Sequence, residues 1–202
     1  MTVDPRDPDV QLMLRLQAGD GAALGELLRR NAPRVLALAF RYLGDRAAAE
    51  DAVQETFLKL YQARDRYRAD APFGAYVLRI ATNVCLSQLR RKRPHSLDDG
   101  GERASEPPDE GLREPGQTIL DDELAGRVRD AVQQLPDRQR MAILLNKFEG
   151  LDYQQVADQL GLTVPATKSL LHRARMTLKD HLEGYLGGVP SETREPPGRS
   201  PG

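Results

Sequence analysis

The 202-residue sequence has few of the features that are typical of extracellular or membrane-embedded proteins, such as paired cysteines and long apolar runs. It contains one cysteine, no tryptophan and only 5% aromatic residues. The single cysteine, Cys85, excludes an internal disulfide and is typical of a reducing compartment. No apolar run approaches the roughly 20 residues needed to cross a bilayer, and residues 1–9 lack the basic and apolar parts of a signal peptide. We therefore expect a cytoplasmic protein without membrane insertion.

Signatures of an enzyme site are also missing from the sequence. The three histidines, His95, His172 and His181, are scattered along the chain and come with no cluster of further metal ligands. There is no glycine-rich phosphate-binding loop and no strand–turn–helix nucleophile motif. The sequence consequently predicts no metal site, no cofactor and no catalytic residue.

Charge is distributed unevenly, although the formal net charge is only −1. Residues 1–93 carry 16 basic and 11 acidic side chains, and residues 124–183 carry 9 and 7. Residues 94–123, between them, carry 2 basic and 10 acidic side chains. Two mildly basic parts around an acidic connector suit a protein that binds a polyanion, although charge alone equally describes a solvated surface.

Proline and glycine are concentrated in two segments of the chain. Residues 95–117 contain only two large aliphatic side chains and cannot bury enough apolar surface to offset the entropy of ordering them. We interpret this segment as a flexible acidic linker between a first domain, residues 1–94, and a second domain, residues 118–186. Residues 187–202 have the same character and are predicted to form a disordered tail.

The rest of the chain has helical rather than strand periodicity, which predicts an all-α protein of two small helical domains. Four helices are expected in each domain, at about 9–18, 21–44, 46–63, 72–93, 118–134, 136–149, 153–160 and 164–185. Asp45 is suited to cap the third helix, and Asp152 with Gln155 has the spacing of a capping box. Pro33 should bend or interrupt the second helix.

Residues 153–173 have the pattern of a helix-turn-helix, with Gly161 in the turn, where a left-handed backbone is usually needed. In the final helix, the spacing places on one apolar face Thr167, Leu171, Ala174 and Leu178. A second face carries cations and hydrogen-bond donors, namely Lys168, Ser169, His172, Arg173, Arg175 and Lys179. That face suits a DNA major groove and its phosphates; the alternative is an amphipathic helix with a solvated basic face.

The fourth helix and the residues before it form a second basic region. Tyr67 lies among the arginines of segment 64–68, and the helix ends in the basic run 90–93. An aromatic ring between cations suits stacking on unpaired bases and neutralisation of their backbone. Two plainer explanations stay open: a basic helix end is favoured by the helix dipole, and Tyr67 can serve as a local hydrophobic anchor.

An acidic and polar face is predicted on the third helix. The segment AEDAVQETFLKLY places on one side of that helix Asp51, Gln54, Glu55 and Leu58. From spacing alone, a solvated surface is the favoured interpretation of this face.

Three segments together resemble the extracytoplasmic-function sigma factors of the sigma-70 family. AEDAVQETFLKLY is similar to region 2.2 of that family, FGAYVLRIATNVCLSQLRRKRP to regions 2.3 and 2.4, and LPDRQRMAILLNKFEGLDYQQVADQLGLTVPATKSLLHRAR to region 4. The segments occur in the family's order and at its spacing around a variable linker, which is more specific than any one of them. The resemblance implies a subunit that binds core RNA polymerase, directs transcription initiation at promoters and helps to open DNA.

The resemblance also implies roles for the matching positions, none of them catalytic. The residues expected to bind polymerase, on the clamp helices of its β′ subunit, are Asp51, Gln54, Glu55 and Leu58. The residues expected at the minus-10 element and its unpaired strand are Arg66, Tyr67, Phe73, Asn83, Ser87, Arg90 and Arg91. Those expected at the minus-35 element are Lys168, Ser169, His172, Arg173 and Arg175. An apolar groove of the second domain would receive the β flap, and members of the family are commonly held by an anti-sigma partner.

The sequence departs from the family within the helix-turn-helix. Pro165, Ala166 and Thr167 stand where the family often has Gly-Thr-Val, and Leu170 stands where an arginine is common. These changes remove a hydroxyl and a cation that would contact DNA, so minus-35 recognition is expected to differ. Two alternatives stay open: a helix-turn-helix regulator that acts without polymerase, and a sigma-like regulator that binds polymerase without initiating transcription.

Overall fold

The computed structural model describes residues 6–92 and 119–186, with side chains described for residues 6–91 and 125–183. Every regular element in those ranges is helical, which confirms the predicted all-α class. Their eight α-helices are α1 (Pro8–Gln17), α2 (Ala22–Leu43), α3 (Arg46–Gln62), α4 (Phe73–Lys92), α5 (Ile119–Gln133), α6 (Asp137–Lys147), α7 (Tyr153–Leu160) and α8 (Val164–Leu186). A 3-10 turn, Arg64–Arg66, follows α3. The predicted linker, residues 95–117, and the predicted tail, residues 187–202, lie outside the described residues.

Pro33 does not interrupt α2, which runs unbroken for 22 residues. A proline inside a helix removes one backbone hydrogen bond, which is costly for an isolated helix. Leu27 and Val35, on either side of the proline, are almost completely buried, and this tertiary packing holds the helix together. The expectation that Pro33 interrupts the helix is therefore wrong, while a bend at Pro33 stays a prediction.

Helix ends follow the local sequence closely. The Asp45 carboxylate accepts a hydrogen bond from the Ala48 amide at 2.6 Å. Asp152 and Gln155 form the predicted capping box, in which each side chain accepts from the other's backbone amide at 2.8 and 2.9 Å. Gly161 ends α7 with φ of +63°, the left-handed conformation that favours glycine. The predicted helix–turn–helix geometry is thus present, with α8 as its second helix.

The two groups of helices, α1–α4 and α5–α8, are packed against each other. Helix α2 contacts α5 and α6, and α4 contacts α6 and α7. The buried guanidinium of Arg140 in α6 donates from Nη1 to the carbonyl oxygen of Tyr42 in α2 at 2.9 Å. Its Nη2 donates to the carbonyl oxygens of Gln133, the last residue of α5, and of Leu135, two residues later. One continuous apolar core therefore includes side chains from both groups.

Candidate nucleic-acid interface

The exposed face of α8 carries all the side chains predicted for the minus-35 element. Exposed on it are Lys168, Ser169, His172, Arg173 and Arg175. On the packed side, Thr167, Leu171 and Ala174 are completely buried. Leu170, at the position where the family often has an arginine, is only 9% exposed and belongs to the packed side. The helix therefore presents cations and donors outward, as a DNA groove requires.

Two side chains from neighbouring helices contact this basic face. The Arg175 guanidinium donates to Oδ1 of Asn146 at 3.2 Å and lies 3.5 Å from the Tyr153 hydroxyl oxygen. The Lys168 ammonium lies 6.0 Å from the centroid of the Tyr153 ring, within reach of a cation–π interaction. The hydrogen bond from Arg175 lowers the pKa of Tyr153. Sequence periodicity predicts neither Asn146 nor Tyr153 as part of this site, because only the fold brings α6 and the start of α7 to α8.

A second polar face lies on α4 and the turn that precedes it. Asn83, Arg90 and Arg91 are exposed, and Ser87 is half-buried. Asn83, Ser87 and Arg90 are spaced by four and three residues, so they share one side of the helix. Arg66, in the 3-10 turn, is also exposed. These residues of the predicted minus-10 set are accessible, and their contacts with an unpaired strand stay a prediction.

The two aromatic residues of the predicted minus-10 set lie inside the first group of helices. Tyr67 is 5% exposed and Phe73 is 0% exposed. The Tyr67 ring meets the rings of Phe73 and Tyr76 edge-on, with centroid distances of 6.3 and 5.0 Å. Burial raises the pKa of Tyr67 to about 12. In this arrangement both rings are hydrophobic anchors rather than an accessible stacking platform, so stacking on a base requires them to leave this packing.

The predicted polymerase face lies on α3. Asp51, Gln54 and Leu58 are exposed, Leu58 to 55%, and Glu55 is half-buried. Tyr61, close to one turn beyond Leu58, adds a second large apolar side chain that is 40% exposed. Leu58 and Tyr61 lie three residues apart and together form a small exposed apolar patch, which is a candidate contact for a protein partner. The structure therefore adds Tyr61 to the candidate surface, a residue whose exposure spacing alone does not reveal.

Within residues 6–91 and 125–183, no group of histidine, cysteine and carboxylate side chains converges in a way that suits a metal ion. Cys85 is buried in α4, where burial raises the pKa of its thiol to about 12, so it is a core residue rather than a nucleophile. In the part of the chain that the structure describes, no helix is both long and apolar enough to cross a membrane.

The fold and these surfaces define a class: an all-α protein with a helix-turn-helix and a second polar, partly basic helix face suited to DNA. Two known families match the chain, one in each group of helices. Residues 27–95 match the family described as Sigma-70 region 2. Residues 125–178 match the family described as Sigma-70, region 4.

Similarity to individual proteins extends over nearly the whole chain. The chain is 33% identical over 187 residues to the RNA polymerase sigma-H factor of Pseudomonas aeruginosa, and the aligned region covers 90% of this chain and 97% of the relative. It is 33% identical over 186 residues to the ECF RNA polymerase sigma-E factor of Escherichia coli K12, with 88% and 96% covered. The solved structure of CnrH in complex with the cytosolic domain of CnrY is similar with a TM-score of 0.63 and 28% identity, over 88% of this chain and 99% of that chain. The chain belongs to the extracytoplasmic-function sigma factors of the sigma-70 family, which confirms the resemblance seen in the sequence.

Proposed function

We propose that the chain binds core RNA polymerase as its sigma factor, directs it to promoters with minus-10 and minus-35 elements, and promotes strand opening there. The observation that carries this proposal is the pair of exposed faces on α4 and α8, each inside a segment that matches a sigma-70 region. A regulator that bound only duplex DNA would use the α8 face and leave the surfaces of α3 and α4 without a role.

At the minus-35 element, α8 enters the major groove with its exposed face. Lys168, Arg173 and Arg175 supply cations for phosphates and purine edges, while Ser169 and His172 supply shorter hydrogen-bonding groups. In the free protein, contacts with Asn146 and Tyr153 hold the Arg175 guanidinium beside the exposed face of α8 that is proposed to enter the groove. Because Leu170 is packed inward, the base that an arginine at this position would contact is read differently or not at all.

At the minus-10 element, the α4 face binds the unpaired non-template strand. Asn83 and Ser87 offer hydrogen bonds to bases, and Arg66, Arg90 and Arg91 neutralise the backbone. Strand opening then needs no catalytic residue, because a protein that binds the unpaired strand better than the duplex shifts the melting equilibrium toward the open form. The chain acts by binding rather than by catalysis.

On polymerase, the α3 face docks on the clamp helices of the β′ subunit through Asp51, Gln54, Glu55 and Leu58, and we add Tyr61 to this set. An apolar groove of the second group of helices receives the β flap. CnrH, to which the chain is similar, has been solved with the cytosolic domain of a second protein, CnrY. By analogy, this chain is expected to bind a second protein, and membership of the family makes an anti-sigma factor the expected partner.

Reconstitution tests the proposal directly. The purified chain is mixed with bacterial core polymerase, and transcription is measured from a library of upstream sequences of its own genome. Discrete starts that require the chain, and that share a two-part upstream element, are the expected result. Polymerase binding without starts would favour a sigma-like regulator, and binding to duplex DNA without polymerase would favour a separate helix-turn-helix regulator.

A further inference from the structure

The side chain of Gln17, the last residue of α1, reaches the segment that carries part of the predicted minus-10 set. Its Nε2 donates to the carbonyl oxygen of Asp65 at 3.2 Å and to that of Tyr67 at 3.3 Å. One side-chain amide has two N–H donors, so it satisfies both acceptors at once. The two carbonyls belong to the peptide units that precede Arg66 and follow Tyr67. Gln17 therefore holds the backbone on both sides of this pair of residues.

The backbone of that segment has few hydrogen bonds of its own. Its 3-10 turn is closed by two backbone hydrogen bonds, of 3.0 and 3.1 Å, which use the carbonyl oxygens of Ala63 and Arg64. Among the described residues, no backbone amide donates to the carbonyl oxygens of Asp65 and Tyr67. Gln17 therefore supplies the two hydrogen bonds that a regular helix or sheet would supply from its own backbone.

The turn that follows Gln17 is held by an ion pair between α1 and the start of α2. Nη2 of Arg15 lies 2.6 Å from Oδ2 of Asp20, and Nε of Arg15 donates to the same oxygen at 3.0 Å. Oδ1 of Asp20 accepts from the amide of Ala22, the first residue of α2, at 3.1 Å. Gly19, within the turn, has a φ of +97°, the left-handed region that favours glycine. The Gln17 side chain therefore extends from a backbone whose direction these contacts define.

Arg66 and Tyr67 lie in opposite environments. Tyr67 is 5% exposed and packs in the core, whereas Arg66 is exposed. Because the Tyr67 ring is anchored and the carbonyls on either side are held by Gln17, the Arg66 side chain extends from a defined position on the surface. A segment that is ordered before its ligand arrives loses less conformational entropy when the ligand binds.

We infer that Gln17 is a positioning residue for the minus-10 element, because it holds the backbone of Arg66 where the guanidinium meets the unpaired strand. The inference rests on the proposed function, in which Arg66 neutralises the backbone of that strand. Gln17 acts through Arg66 and is not itself a DNA contact. It lies 48 and 50 positions before its two acceptors and outside the Sigma-70 region 2 match, which begins at residue 27.

Hydrogen exchange on the full chain tests whether Gln17 holds the segment. Gln17→Met keeps the length of the side chain and removes both donors, so the amides of residues 66 and 67 should exchange about fivefold faster. Gln17→Lys keeps donors on a stem of similar length and should retain most of the protection. Asp9→Asn is the matched control, because Asp9 ties α1 to Arg30 of α2 about 12 Å away along the helix. Unchanged exchange in Gln17→Met, or equal acceleration in Asp9→Asn, would contradict the hydrogen-bonding role.

Binding of a single strand by the holoenzyme tests the link between Gln17 and Arg66. The probe is a fluorescent single strand that carries the minus-10 element of a promoter found by reconstitution. Gln17→Met should weaken binding of this probe about threefold, while affinity for the minus-35 duplex stays at the wild-type value. Arg66→Ala should also weaken binding of the probe, and the double variant should bind no more weakly than Arg66→Ala alone.

A purely structural role for Gln17 gives a different pattern of affinities. Gln17→Met would then weaken binding by the same factor with and without Arg66, or Asp9→Asn would weaken it equally, and either result would overturn the inference. Wild-type binding of the single strand by Gln17→Met or by Arg66→Ala would overturn it as well. If the wild-type chain directs no initiation, the proposed function fails, while hydrogen exchange still decides whether Gln17 holds the segment.

Discussion

Glu55 in α3 and Arg91 in α4 form an ion pair, with 3.7 Å between Oε2 and Nη1, that links the surface proposed for polymerase to the one proposed for DNA. Glu55 also pairs with Lys59, one turn along α3, at 3.0 Å. The hydrogen bond from Lys59, with the nearby charge of Arg91, lowers the pKa of Glu55. Because the Arg91 side chain is 67% exposed, it can exchange Glu55 for a DNA phosphate at little cost.

Replacing Glu55 with glutamine removes the charge and keeps the shape. We expect the affinity for core polymerase to fall about three- to tenfold, and the free energy of unfolding at neutral pH to fall by less than about 1 kcal/mol. Because the folded state lowers the pKa of Glu55, its contribution is complete above about pH 4.5 and is lost as pH falls through the folded-state pKa. Competition binding and urea unfolding at neutral and acidic pH measure both effects.

The control for that variant is Glu50→Gln on the same helix. Glu50 is exposed and pairs with Arg46 at 3.1 Å; it lies one turn before Gln54 but is not itself in the predicted polymerase-binding set. The Glu50→Gln variant removes the same charge from α3 without removing a member of that set, so it should lower polymerase affinity less than Glu55→Gln does. Equal losses in the two variants would show that the net charge of α3, rather than Glu55 itself, attracts polymerase.

The Tyr67 hydroxyl is buried and has no hydrogen-bond partner among the described residues. Tyr67→Phe removes this desolvated group and keeps the ring, so the free energy of unfolding should rise by about 1 kcal/mol. Tyr67→Ala should instead lower it by about 3 kcal/mol or more, which makes alanine a poor probe of DNA melting. Promoter opening by the phenylalanine variant, measured by permanganate footprinting, should match wild type. A stable variant that fails to open the promoter would show that the hydroxyl itself contacts DNA.

Thr167 is another buried hydroxyl without a partner among the described residues, and it stands where the family often has valine. Thr167→Val should therefore raise the free energy of unfolding by about 1 kcal/mol and leave DNA affinity unchanged. Thr163→Val is the contrasting variant, because the Thr163 hydroxyl accepts a hydrogen bond from the Ala166 amide at 3.3 Å and caps α8. It should lower the free energy of unfolding by about 1 kcal/mol. Urea unfolding that gave both changes the same sign would contradict this account.

Helix ends could be predicted from sequence because each cap depends on residues within four positions of it. Asp45 and Asp152 bond amides three residues ahead, and Gly161 takes the left-handed conformation of the turn. The inward and outward faces of α8 followed from spacing for the same reason, with Leu171 buried and Lys168 exposed.

Contacts between distant parts of the chain could not be predicted in this way. Arg140 donates to Tyr42, 98 positions earlier, and no local pattern marks that partner. Tyr67 shows a second limit of prediction from sequence. An aromatic residue between arginines gives the same sequence pattern whether its ring stacks on a base or packs in a core. Its burial is decided by how Phe73 and Tyr76 pack around it, which is a property of the whole bundle.

A substitution at Asn83 should affect DNA opening without affecting polymerase binding, because the Asn83 side chain is exposed on α4 and is not part of the core. Asn83→Ala should slow promoter opening at least about tenfold, the discrimination expected from loss of one good base contact. Polymerase affinity and the free energy of unfolding should stay within about 0.5 kcal/mol of wild type. Normal opening by this variant, followed by footprinting, would place the minus-10 site elsewhere.

The exposed cations of α8 should make the affinity of the chain for duplex DNA depend on salt concentration. Lys168 and Arg173 are exposed and have the proposed role of contacting phosphates or bases of the minus-35 element. Each phosphate contact releases about one counterion, so Lys168→Ala should reduce the slope of log affinity against log salt concentration by about 1. Arg173→Ala should do the same, or should relax discrimination at one base position if the guanidinium reads a base.

Lys179→Ala is the matched control for these cation variants, since Lys179 lies on the same face farther along α8, is not in the predicted minus-35 set and pairs with Glu183 at 3.4 Å. Fluorescence anisotropy on one duplex, titrated over a range of salt, gives all the slopes. A partner carboxylate already compensates Lys179, so its loss should leave the slope near the wild-type value. In a docked helix, cations that lie in the groove contact DNA and cations beyond the groove do not. Equal reductions of the slope in Lys168→Ala and Lys179→Ala would therefore show that α8 attracts DNA only through its overall positive charge.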